Sequence, residues 1–228
     1  MCAISRVAVI DDDADKRDSL SEFVSDAQFT PIIIPGPFRK IDKFVSTIKS
    51  QADAAICDHR LQTRKYASFF GAEAVASLYT NGVPAILITS WGKVDEGLMR
   101  SHRSQIPVLM AREDLSCEEI IKALEICVKE ISGEVLPTRK TWRTLLRVEG
   151  LTKVGNKIMA DIIIPSWNPN EGVRVPIELF GRLRNKVAAG RRFFAKVNTG
   201  AVNSADLYFK DFELAPALTK KLCQEYIS

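Results

Sequence analysis

The amino-acid sequence predicts an α/β fold, a doubly wound five-stranded parallel sheet with helices on both faces, followed by a small basic β-rich domain. Three observations carry that prediction. Over residues 1–133, five apolar runs of strand length alternate with segments of helical spacing. The runs are continuous rather than alternating, as strands covered on both faces require. After Pro137 the texture changes to shorter apolar stretches broken by Gly and Asn turns.

The elements follow in order. "RVAVI" reads as the first strand, and Leu20, Phe23, Val24 and Ala27 form one stripe of the first helix. "TPIIIP" is the second strand, followed by a helix with Ile41, Phe44, Val45 and Ile48 on one side. "ADAAIC" and "GAEAVASLY" supply the third pair, with Gly82-Val83-Pro84 stopping the helix. "VPAILIT" and a helix around Leu98 and Met99 are the fourth, and "IPVLMA" with "CEEIIKALEICVKEI" the fifth, ended by Gly133. Strand–helix units in series impose a parallel sheet, because each crossover returns the chain to the same end. Residues 134–146, around Pro137 and the polar "TRKT", read as a linker. Residues 147–228 form the second domain. Its strand candidates are "WRTLLRVEGLTKVG", which begins inside the linker, then "KIMADIIIP", "GVRVPIELF", "RRFFAKVN" and "DLYFKDFELA". "LFGRLRNKVAAG" reads as one short helix, and no helix-turn-helix pattern stands out in this half.

Charge divides the chain in the same place. Residues 1–136 hold 16 Lys and Arg against 20 Asp and Glu, and residues 137–228 hold 16 against 8. An acidic front and a basic back point to different partners. The five cysteines, Cys2, Cys57, Cys117, Cys127 and Cys223, are scattered, odd in number and without a CxxC pair. Reduced thiols and a cytoplasmic location are therefore expected, not a disulfide framework. Two histidines exclude a histidine-rich metal centre, and no apolar run approaches the roughly 20 residues that cross a bilayer.

"VAVIDDD" sets three carboxylates side by side at the end of a buried strand, where unpaired charge is costly. In an open parallel sheet the loops at the carboxyl ends of the strands share one crevice. The first strand delivers Asp11, Asp12 and Asp13 there, the third Asp58, the fourth Thr89 and Ser90, and the fifth Arg112. Asp13 also suits the N-cap of the first helix. A hard divalent cation such as Mg2+ would neutralise the carboxylates. A carboxylate so placed can act as nucleophile on a phosphoryl group.

Residues 4–133 resemble the receiver domain of two-component response regulators. The matching pieces are "VAVIDDDADKR", "AAICDHRL" and "PAILITS", each on the corresponding strand. The resemblance implies a flavodoxin-like sheet of order 2-1-3-4-5 and Asp58 as phosphoacceptor. It implies Mg2+ held by Asp11, Asp12, Asp58 and the backbone carbonyl of Arg60, with Thr89 as switch hydroxyl. It also implies a histidine kinase or phosphotransfer protein as donor, and a homodimer through the face of strands four and five. No enzymatic activity is expected beyond assistance to its own phosphotransfer and dephosphorylation. The sequence departs from the family at strand five. The usual Lys-Pro is absent, no Lys lies between Val94 and Ile121, and Arg112 is the nearest substitute. Trp91 adjoins the switch loop.

These features together lead us to expect an atypical response regulator, with output through protein–protein contact or as a phosphate relay or sink. Two alternatives belong to other classes: a pseudo-receiver used as an interaction module without phosphorylation, and a nucleic-acid-binding regulator. The last rests on Arg182, Arg184, Lys186, Arg191 and Arg192, followed by Phe193 and Phe194. Basic residues beside aromatics suit a nucleic-acid surface. A solvated helix face backed by core phenylalanines has the same composition. "SWNPNEG" reads as an exposed loop carrying a contact Trp.

Overall fold

The computed structural model describes residues 4–90 and 96–216. The chain divides into two units between Leu136 and Pro137. Trp91, Cys2 and Cys223 lie outside the described residues. Among the described residues no helix is long and apolar enough to cross a membrane.

The first unit alternates strand and helix: β1 (Arg6–Ile10), α1 (Ala14–Asp26), β2 (Thr30–Ile33), α2 (Ile41–Gln51), β3 (Ala54–Asp58), α3 (Gly71–Thr80), β4 (Ala85–Thr89), α4 (Glu96–His102), β5 (Val108–Ala111) and α5 (Cys117–Ile131). All neighbouring strands are parallel and the order is β2-β1-β3-β4-β5, the flavodoxin-like arrangement expected. Successive strand residues face opposite sides, so each strand feeds two cores. Ala8, Ile10, Ala55, Cys57 and Leu87 pack with Phe44, Ile48 and Val75 from α2 and α3. Val7, Val9, Ile56, Ile86 and Ile88 pack with Leu20, Val24, Ile120 and Leu124 from α1 and α5. Asp13 caps α1 by accepting from the Asp15 N–H at 3.1 Å, and Ser116 caps α5 by accepting from Glu119 at 3.2 Å. Gly133, at φ +96°, takes the left-handed turn that ends α5.

The second unit is an antiparallel sheet of five strands: β6 (Trp142–Val154), β7 (Lys157–Ile164), β8 (Asn168–Pro176), β9 (Arg192–Val197) and β10 (Phe209–Leu214). Their order is β10-β9-β6-β7-β8. Leu146, Val148, Ile162, Val173, Val175, Phe193 and Val197 face one core, closed by Phe180 and Val187. The five strand candidates are all present, with two boundaries moved: most of the loop expected at SWNPNEG is strand, because β8 begins at Asn168 and pairs with Ile164. Of the linker expected over 134–146, the residues from Pro137 belong to the second unit, and Trp142 opens β6. Thr144 and Leu146 already face inward and pair with Ala195 and Phe193; the outward Arg143 and Arg147 had masked the alternation. The short helix expected near Phe180 is a pair of 3-10 turns over Ile177–Lys186, broken at Gly181. Trp167 is no free contact residue, because it packs against the core and its indole N–H donates to the Ala201 carbonyl at 2.7 Å.

Candidate functional site at the carboxyl ends of the parallel strands

Register decides which side chains meet. Ile10 pairs with Cys57, so Asp11 follows β1 beside Asp58, the last residue of β3. Asp58 pairs with Ile88, and Thr89 one residue on pairs with Ala111. Arg112 comes next, at the start of a 3-10 turn. Each strand ends within one residue of its neighbour, and the sheet presents Asp11, Asp58, Thr89 and Arg112 along one rim. Asp11 is 0 % exposed, Asp58 7 % and Thr89 3 %.

Arg112 is the centre of the site. Its Nη2 donates to Asp11 Oδ2 at 2.5 Å and to Asp58 Oδ1 at 2.7 Å. Its Nε is buried and makes no hydrogen bond among the described residues. Burial opposes the guanidinium charge, but the bonds and charges of Asp58 and Asp11 outweigh it, and the Arg112 pKa is raised. Burial likewise pushes Asp11 above the ordinary carboxylate range, aided by the Asp58 charge. The Asp13 N–H at 2.9 Å from Asp11 Oδ1 and the Arg112 charge work the other way without overcoming it. Cys57, fully buried between them in sequence, has its thiol pKa raised by burial and then by Asp58 and Asp11.

The other acids have partners of their own. Asp12 is half-buried, and its Oδ2 accepts the backbone N–H of Arg64 at 2.8 Å. Asp13 Oδ2 pairs with the Arg64 guanidinium at 2.7 Å. Arg17 Nη1 donates to the Asp11 carbonyl at 2.6 Å. Arg60 supplies its N–H to Asp58 Oδ2 at 2.7 Å. Among the described residues the Thr89 hydroxyl bonds only the Ser90 carbonyl, at 3.5 Å. Asp11, Asp58 and Arg112 are therefore brought together, Asp12 is bonded to the Arg64 main chain, and Thr89 stands at the rim with no bond to them among the described residues.

For Mg2+ the donor chemistry is suitable, hard carboxylate oxygens at strand ends. The arrangement offers two such carboxylates with a cation already shared between them, and Mg2+ is commonly held by one or two carboxylates and waters. Among the described residues no three Asp, Glu, His or Cys side chains gather as a metal-binding group, and the cation already touching Asp11 and Asp58 is Arg112.

Sequence reasoning did not find Arg64, Arg17 or Gly71. Gly71 opens α3 directly against the phosphoacceptor candidate. A Cβ there would lie 2.0 Å from the Asp58 carbonyl oxygen, so only glycine lets the helix approach. The "FFG" that precedes α3 was its one available signal. His59 is buried and stacks on Phe70, with ring centroids 5.6 Å apart.

In the second unit, Arg182, Arg184, Lys186 and Arg191 are exposed and Arg192 is half-buried. None of the five forms an ion pair among the described residues. Other basic residues of this unit do: Arg143 with Glu213, Arg147 with Glu149, Arg174 with Asp161 and Lys196 with Asp211. Phe193 is core, and Phe194 lies under the Arg143 guanidinium at 3.7 Å. The two phenylalanines are therefore no stacking platform for the basic run.

No family model matches the chain, and no curated protein matches it. Solved structures similar to it include a response regulator receiver domain protein from Clostridium thermocellum, at 10% identity over 56% of this chain and 97% of that one, with TM-score 0.43. A signal receiver domain of an HD domain-containing protein from Pseudomonas fluorescens Pf-5 is 16% identical over 59% and 93%, with TM-score 0.44. A signal receiver domain of a modulated diguanylate cyclase from Desulfovibrio desulfuricans G20 is 16% identical over 58% and 99%, with TM-score 0.46.

Proposed function

We propose that the first unit acts as a receiver that takes a phosphoryl group onto Asp58. One observation carries this reading: a strand-end carboxylate sits 2.7 Å from a guanidinium that has a further buried N–H to give. A carboxylate oxygen of Asp58 attacks phosphorus in a donor phosphohistidine, the P–N bond breaks, and the imidazole leaves with the electron pair and takes up a proton. The product is an acyl phosphate. Arg112 offsets the charge that develops on the phosphoryl oxygens, and its Nε–H gains an acceptor. The added charge of about −1.5 to −2 then draws the Thr89 hydroxyl, which has no strong bond to give up.

The donor is a histidine kinase or phosphotransfer protein in the cytoplasm. Among the described residues Cys57, Cys117 and Cys127 form no disulfide. Output passes through the face of β4 and β5, to a protein partner or a second copy, or the protein serves as a relay or sink. The only chemistry it assists is gain and loss of its own phosphoryl group. A second reading concerns the other unit, in which Arg182, Arg184, Lys186, Arg191 and Arg192 form no ion pair among the described residues and so favour contact with a polyanion such as nucleic acid.

The test is intact-mass measurement after incubation with acetyl phosphate, with and without Mg2+. Wild type gains one phosphoryl group and Asp58→Asn gains none. No gain under any condition overturns the proposal and favours an unphosphorylated interaction module.

A further inference from the structure

We infer that the acid pocket carries its own cations, so that Asp58 takes its phosphoryl group without a bound divalent metal. This rests on the reading of Asp58 as acceptor. Two carboxylates, Asp11 and Asp58, share a single nitrogen of Arg112, at 2.5 and 2.7 Å. A metal bridging Asp11 Oδ2 and Asp58 Oδ1 competes with that guanidinium for the same two oxygens, because Mg2+ needs its oxygens at about 2.0–2.1 Å in near-octahedral order. Like charge at such range is also strongly repelled.

The third carboxylate expected as a ligand has a partner of its own as well. Asp12 is committed through Oδ2 to the Arg64 N–H, and Asp13 is divided between the α1 cap and the Arg64 guanidinium. Backbone donors meet much of the charge that remains: the Asp13 N–H reaches Asp11 and the Arg60 N–H reaches Asp58. The segment that supplies Arg64 is itself fastened. Phe38 N–H donates to the Tyr66 carbonyl at 2.8 Å, Ser68 N–H to the Phe38 carbonyl at 3.0 Å, and the Tyr66 hydroxyl to the Ile34 carbonyl at 2.7 Å. Releasing Asp12 for a metal therefore disturbs a loop held at several points. A flexible lysine could withdraw from such a pocket along its stem. Arginine, planar and engaged with both acids at once, is the harder cation to move.

The full-length protein tests this in two arms. In calorimetric titration with Mg2+ or Mn2+, wild type shows no saturable site at low-millimolar metal, and Arg112→Ala gains one, at least about tenfold tighter than any wild-type binding. In the second arm, wild type is incubated with acetyl phosphate in excess EDTA and weighed, and the phosphoryl adduct still forms. Saturable wild-type binding no weaker than that of Arg112→Ala overturns the inference, as does an adduct that forms with Mg2+ and vanishes in EDTA. The wild-type titration decides the matter even if Arg112→Ala fails to fold. Failure of the acceptor reading is separately visible, as the absence of any adduct with or without metal.

Discussion

A single hydrogen atom at position 71 fixes where the acceptor stands. With the Asp58 carbonyl 2.0 Å from where a Cβ would be, and the Asp58 carbonyl carbon at 2.8 Å, the obstacle is backbone and cannot swing away. Gly71→Ala should lower stability by about 1–3 kcal/mol, as overpacking does. It should also slow phosphoryl uptake by shifting Asp58. Urea unfolding and the intact-mass assay check the two effects, and an unchanged urea midpoint would contradict the close approach. At this scale the sequence was legible where strands end. Asp11, Asp58, Thr89 and Arg112 could be placed on one rim because carboxyl ends of parallel strands share a crevice. Arg64 could not, since its hold on Asp12 is a backbone N–H whose direction depends on loop conformation, and loops leave no periodic trace.

At the scale of elements, Asp53 ties the start of β1 to the start of β3. Its carboxylate accepts the Ser5 and Arg6 N–H groups at 3.1 and 2.8 Å and pairs with the Arg6 guanidinium at 2.9 Å. These bonds, the Arg6 guanidinium first, hold its pKa down to about 2. An unfolded Asp titrates near 3.9, so the folded state binds its proton less readily. The clamp is therefore complete above about pH 4 and is lost as pH falls toward 2. Urea midpoints across that window should fall for wild type and fall less for Asp53→Asn; parallel curves would show that the clamp adds nothing. Elements were legible in proportion to their burial. The five parallel strands stood out because both faces are covered, as in β3, where every residue from Ala54 to Asp58 is buried. The entry to β6 did not, because one face of that strand is wet and carries arginines, so its first residues looked like linker. The 3-10 turns over Ile177–Lys186 carry enough apolar residues at helical spacing to imitate an α-helix, and only the break at Gly181 separates the two.

For the whole molecule, the division into an acidic and a basic unit was written in the charge count, and each unit has its own core. The fold of the second unit was legible only as a number of strands, because antiparallel order depends on pairings between distant segments such as β6 with β9. The basic run gives the prediction proper to this scale. Replacing Arg182, Arg184 and Lys186 together with alanine should weaken retention on immobilised DNA or RNA. It should also reduce the salt slope by roughly three units at most, near one per lost phosphate contact. Equal retention of variant and wild type would leave those residues as ordinary solvated charge. One bond in the acid pocket constrains the chain in a way no comparison of side chains would register. Asp12 is gripped by the main chain at position 64, so nineteen of the twenty amino acids could occupy that position and keep the grip; proline, lacking the hydrogen, would let go.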